Sequence, residues 1–176
     1  MRAIGMMLLL GVVACSASIM GGETPTADSV PHEHMGGGPF AGGWEACDGG
    51  ASSPECSRYW LFQRGQRICG AWSYVASGRI YEGRLIARVD SEHEATRTRV
   101  CGRPGSETST ECEAGWEPID KPLVLCEGRL ADVASRGGAC RADYRPAADV
   151  DGGLGALARE PWLQSCLAGD GSGDDP

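Results

Sequence analysis

The stretch RIYEGRLIARVD, residues 79–90, decides the fold class. Tyr81, Gly83, Leu85, Ala87 and Val89 share one side of an extended chain, and Glu82, Arg84, Arg88 and Asp90 share the other. Successive strand side chains point to opposite faces, so this period of two predicts a half-buried antiparallel strand, interrupted only by Ile86. The pattern continues outward in both directions. Upstream, RYWLFQ (58–63) and RICGAWSYVA (67–76) flank Arg64-Gly65 and predict a hairpin, with Trp60 and Phe62 facing as Ile68, Trp72 and Tyr74 do. ASGR (76–79) then turns the chain into residues 79–90. Downstream, ATRTRVCG (95–102) predicts a fourth strand and PLVLCEGRLADV (122–133) a later one. The polar residues between them, 103–121, read as a long loop. GLGALARE (153–160) and PWLQSCL (161–167) predict short helices, with Pro161 in a first turn and Trp162 one turn from Cys166. The expected class is mainly β: an antiparallel meander sheet or small barrel, stapled by disulfides, with one or two short C-terminal helices.

Ahead of this domain stands LLLGVVACSAS, residues 8–18. Arg2 supplies a positive charge, and Ala3–Val13 is uncharged and mostly apolar. That run is shorter than the roughly 20 residues a bilayer-spanning helix needs, so it reads as a signal peptide covering residues 1–14. Val12-Val13-Ala14-Cys15 resembles the bacterial lipobox: an aliphatic residue, a tolerant position, a small residue, then cysteine. The resemblance implies diacylglyceryl modification of Cys15, cleavage before it and acylation of the new amino group. One acyl chain holds a protein only marginally, whereas two or three anchor it firmly. Ser16 in place of aspartate implies the outer membrane, under the sorting rule of that family in Gram-negative cells.

Lipidation of Cys15 leaves Cys47, Cys56, Cys69, Cys101, Cys112, Cys126, Cys140 and Cys166, an even set in an oxidising compartment. No CxxC pair occurs, so zinc-ribbon and thioredoxin-like readings lack support. Eight cysteines allow on the order of a hundred connectivities. Loop lengths favour Cys47–Cys56, Cys101–Cys112 and Cys126–Cys140, with Cys69–Cys166 as the long-range staple.

Residues 15–43 read as the lipidated cysteine and a flexible tether rich in Gly and Pro. Residues 44–167 form the expected disulfide-rich domain, and 168–176 an acidic disordered tail. The net charge of −8 argues against nucleic-acid binding. Residues 58–99 nevertheless carry eight arginines against four acids. Arg84 and Arg88 share a side of one strand by their even separation, and so do Arg97 and Arg99. The four together define a candidate basic face for an anionic envelope component, although solvated strand surface is the plainer reading.

Chemistry-bearing motifs are sparse. The histidines are His32, His34 and His93, the last between Glu92 and Glu94 in a turn, and no Gly-x-Ser-x-Gly occurs. His32, His34 and Met35, beside Glu33, are candidate metal ligands of a type that suits copper. They sit on the tether without a second shell, so no cofactor is expected. Gly42-x-Trp44 resembles the Gly-x-Trp signature of lipocalins and avidin-like barrels, whose tryptophan plugs one barrel end. The expected function is a membrane-anchored, non-enzymatic binding or structural lipoprotein of the cell envelope. Its membrane contact is the N-terminal lipid, and its partner an envelope protein or anionic component. The alternatives are a calycin-like carrier of a small apolar ligand, which the Gly-x-Trp resemblance implies, and an envelope enzyme of unknown reaction.

Overall fold

The computed structural model describes residues 37–47, 56–133, 142–147 and 152–169. Among these, eight strands form one antiparallel sheet: β1 (Gly42–Cys47), β2 (Cys56–Arg64), β3 (Arg67–Ala76), β4 (Arg79–Val89), β5 (Glu94–Gly102), β6 (Glu117–Cys126), β7 (Arg129–Ala131) and β8 (Arg145–Ala147). Their order is β7-β6-β5-β4-β3-β2-β1-β8, so β1 to β7 form the expected meander and β8 returns beside β1. The edges meet where Leu130 of β7 and Tyr144 exchange backbone hydrogen bonds of 2.9 and 3.0 Å, bringing the sheet nearly to closure as a barrel. Two helices follow, α1 (Gly153–Leu157) and α2 (Pro161–Ala168), with Pro161 opening α2. No helix among the described residues is long and apolar enough to cross a membrane.

Tight turns set the register. Ser77-Gly78 and Glu127-Gly128 both take positive φ at each residue, the twist that two-residue hairpin turns need. The Arg64–Arg67 hairpin pairs Phe62 with Cys69 and Trp60 with Ala71. A two-residue loop makes paired positions differ in parity. Trp60 and Phe62 therefore lie on the opposite face from Ile68, Trp72 and Tyr74, correcting the expectation that they face together. Tyr59 and Leu61 join Ile68, Trp72, Leu85 and Val100 inside the barrel. Phe62 and Cys69 pack outside it under Leu154, Leu157 and Leu163 of the helices, with Trp60 beside them.

Other expectations are refined. β6 begins at Glu117, inside what reads as loop, and β7 is a separate strand beyond the Glu127-Gly128 turn. Pro118 and Pro122 mask β6 in the sequence; proline is tolerated at sheet edges and irregularities, and the register with β5 shifts here. The fold also starts before Trp44. Phe40 is fully buried, its N–H donates to Gln63 Oε1 at 3.1 Å, and its carbonyl accepts from Trp44 Nε1 at 3.0 Å. This turn closes the barrel end near the β2–β3 hairpin. Residues 40–43 thus belong to the folded domain, and the tether expectation is shortened to that extent.

Three disulfides follow the expected pairing: Cys47–Cys56 across β1 and β2, Cys101–Cys112 between β5 and its following loop, and Cys69–Cys166 between β3 and α2. Cys126 is also disulfide-bonded. Its expected partner, Cys140, lies outside the described residues.

Candidate binding groove

The outer face of β2, β3 and β4 forms a grid of cross-strand rows. Trp60, Ala71 and Arg84 make one row; Arg58, Ser73 and Glu82 the next; Val75 and Ile80 pair beyond them. The centre line on β3 carries the small side chains Ala71, Ser73 and Val75, so the face is a trough running along that strand. Leu157, Glu160 and Trp162 from the helical segment raise one wall, and Arg103, Glu111 and Glu113 from the disulfide-tied loop raise the other. Trp72, Gly83 and Gly102 also border the space. The groove holds about 970 Å³, larger than the minimum of roughly 300 Å³ typical of ligand sites. The Cys69–Cys166 bond and the apolar cluster beneath α2 fix its helical wall, while Cys101–Cys112 fixes the loop wall.

The trough's arginines are already engaged. Arg84 lies 4.7 Å over the Trp162 ring, which in turn meets Trp116 at 6.3 Å. Arg58 approaches Glu45 at 3.8 Å. Arg103 donates to the Ile80 carbonyl at 2.8 Å and lies over Tyr81.

The candidate basic face does not assemble. Along the β4–β5 ladder Ile86 pairs with Arg99, but the next residue, Ala87, pairs with Arg97. Thr98 is therefore an extra residue, and this bulge cancels the even-separation argument. It turns Arg97 to the inner face, where it is 1% exposed. Arg88 remains outside, exposed and paired with Asp90 at 3.0 Å; Arg99 is half-buried on the outer face. Arg84 joins the groove. The four arginines thus divide among three environments.

Inside, Arg97 organises a polar network that the sequence gives no sign of. Its Nη1 donates to Glu107 at 2.6 Å and to Tyr59 Oη at 3.1 Å, and its Nη2 to the Asp132 carbonyl at 3.3 Å. Tyr59 and Tyr144 each donate their hydroxyl to Asp132 Oδ2 at 3.0 Å. Burial raises the Tyr59 phenol well above its ordinary range. Burial and the Asp132 charge likewise raise Tyr144. The network links β2, β5, the 103–116 loop and the β7–β8 seam, so its evident work is closure of the barrel. Glu117 holds the same loop by accepting from Ser109 N, Thr108 Oγ1 and Ser109 Oγ at 2.8, 2.9 and 3.1 Å. The Ser109 backbone donor, then the hydroxyls, lower its carboxyl pKa.

His93 is exposed in the β4–β5 turn, where Ser91 Oγ accepts from its N–H at 3.3 Å. Cys15, His32, His34 and Met35 lie outside the described residues. Glu45, Cys47 and Cys56 converge with metal-ligand spacing, but the two sulfurs are joined to each other and are not thiolates. No family model matches the chain, and no curated protein or solved structure matches it.

Proposed function

We propose that this chain is a lipid-anchored, extracytoplasmic binding module of the bacterial cell envelope, non-enzymatic, which engages its partner in the trough along β3. The groove is the observation that carries this reading: an open, aromatic-walled cleft braced on both sides by disulfides, on the face opposite the packed barrel interior. The lipobox resemblance at Val12 to Cys15 supports the anchor, and the outer membrane is its proposed site. A carrier role for the barrel itself is the less supported reading. Phe40, Trp44, Leu61, Ile68, Trp72 and Val100 occupy the interior, and the Phe40–Trp44 turn covers one end.

The five tryptophans allow a direct test. Full-length chain carrying Cys15→Ala, to keep it soluble, is titrated in turn with polypeptides, envelope glycan fragments and a fatty acid. Indole N–H resonances are followed. The groove reading expects one polymer class to shift Trp60 and Trp162 and leave Trp44 unmoved, with the polymer recovered uncleaved. A Trp44 shift driven by the fatty acid would favour the carrier. Cleavage of the polymer would favour an enzyme.

A further inference from the structure

Two adjacent rows on the outer face of the sheet, next to the β2–β3 turn, carry four arginines. One row runs Phe62, Cys69, Ile86, Arg99, and the next runs Arg64, Arg67, Arg88, Thr96. Arg64 and Arg67 are direct cross-strand neighbours, and so are Arg67 and Arg88. Like charges directly opposite one another destabilise a sheet, and an anion laid across them relieves that cost. Neither row contains an acid. Asp90, the next outward residue of β4, pairs with Arg88 at 3.0 Å. Among the described residues nothing pairs with the exposed Arg64.

α2 delivers the chain to this place. Trp162 at its start lies against Arg84, in the row of Ala71. One turn later Cys166 is bonded to Cys69 in the next row, with Cα atoms 6.2 Å apart. The helix therefore runs along β3 toward Arg67, and it ends at Ala168 on the left-handed cap Gly169. With strands about 4.8 Å apart and a rise of about 3.3 Å per residue, all four arginine Cα positions lie within roughly 10 Å of Cys69. The residues that follow the cap, 170–176, read DGSGDDP, with three aspartates and no basic side chain. They lie outside the described residues. Extended, they reach on the order of 23 Å, more than the two rows require.

We infer that residues 170–176 return onto the outer face and lay their aspartates across the Arg64–Arg67–Arg88 row and Arg99. The inference goes beyond the trough reading and does not depend on it. The occupant is the chain's own acidic segment because the Cys69–Cys166 bond holds the start of that segment beside the rows. A short link of this kind gives an effective concentration on the order of millimolar, which a dilute anionic partner does not match. Charge is the complement: the arginine-rich stretch 58–99 and the three aspartates meet at one disulfide. The segment thereby withholds these arginines from anionic surfaces.

The test uses full-length chain carrying Cys15→Ala. A photo-crosslinking residue replaces Ser172, which leaves the aspartates in place. Illumination at low salt should join position 172, within one molecule, to residues 64–67 or 86–99, as read by peptide mass spectrometry. These adducts should fade as salt rises. The variant Asp170→Asn, Asp174→Asn, Asp175→Asn should lose them. Without the crosslinker, the same variant should bind phosphatidylglycerol vesicles at least about five-fold more tightly than the parent, and phosphatidylcholine vesicles no more tightly. Adding Arg64→Gln and Arg67→Gln should remove that gain. A charge-matched control, Glu92→Gln, Glu127→Gln, Asp143→Asn, all at exposed positions, should keep the adducts and show no such gain. An unchanged melting profile checks that each variant folds. Adducts from position 172 confined to other segments would overturn the inference. A gain shared equally by the control would assign the effect to net charge and overturn it. So would a tail variant that binds phosphatidylglycerol no better than the parent, since the arginines would then not have been covered.

Discussion

Arg97→Met should lower the unfolding free energy by about 3 kcal/mol, and Arg88→Met by less than about 0.5 kcal/mol. The two arginines differ by a turn of the chain. Arg88 lies on the outer face with its guanidinium in water and Asp90 beside it. Arg97 is 1% exposed, and its side chain holds Glu107, Tyr59 and the Asp132 carbonyl together. Removing one partner of a buried pair leaves the other charge without compensation, at a cost of about 3–5 kcal/mol. Glu107 is 27% exposed, so water recovers part of its loss and the lower end applies. Glu107→Gln in the Arg97→Met background should therefore restore part of the stability. Urea denaturation with an unchanged slope is the measurement. Equal midpoints for the two single variants would place Arg97 outside and remove the bulge at Thr98 from the account.

Cys69→Ala with Cys166→Ala should cost about 4–5 kcal/mol, the largest effect of any disulfide pair described. The bond closes a separation of 97 residues, against 9 for Cys47–Cys56, and loop-closure entropy rises with the logarithm of that length. On the same basis Cys47→Ala with Cys56→Ala should cost about 2.5–3 kcal/mol. The long-range bond is also the covalent tie between α2 and β3. Without it the helix is held by Leu163, Trp162 and Leu167 against Phe62. Thermal melts of the two oxidised double variants decide the ranking. A Cys69/Cys166 variant as stable as the Cys47/Cys56 variant would mean that the denatured chain is not limited by this loop.

How far the sequence led can be judged residue by residue. The alternation at 79–90 was legible because one face of β4 is buried and the other wet, and Leu85 is indeed fully buried. The hairpin at Arg64-Gly65 was legible too, but its facing depended on the exact number of turn residues, which composition alone does not show. Trp60 and Phe62 read as sharing the face of Ile68, Trp72 and Tyr74 because large apolar residues suggest one core. In fact the sheet has two apolar faces, and the second is created by helices nearly a hundred residues downstream. Arg97 misled for a different reason. A bulge leaves no mark in the pattern Ala-Thr-Arg-Thr-Arg-Val, and an arginine inside a barrel needs Glu107, Tyr59 and Asp132 to come from three other segments. β8 is three residues including Pro146, too short for any periodicity. The groove itself is tertiary: its floor, helical wall and loop wall come from separate stretches brought together by Cys69–Cys166 and Cys101–Cys112. Local cysteine spacing, by contrast, carried the pairing well, since Cys47 and Cys56 are direct cross-strand neighbours.

The claim that the trough along β3 is the partner-binding surface is tested most directly inside the cell. Two versions of the full-length chain, with Cys15 intact, carry a photo-crosslinking residue either at Ser73 on the trough floor or at Arg88 on the exposed face of β4. After illumination, the membrane fraction is resolved and the adducts identified. A discrete adduct with one envelope component is expected from position 73, and none from position 88. An adduct from position 88 with none from position 73 would contradict the claim.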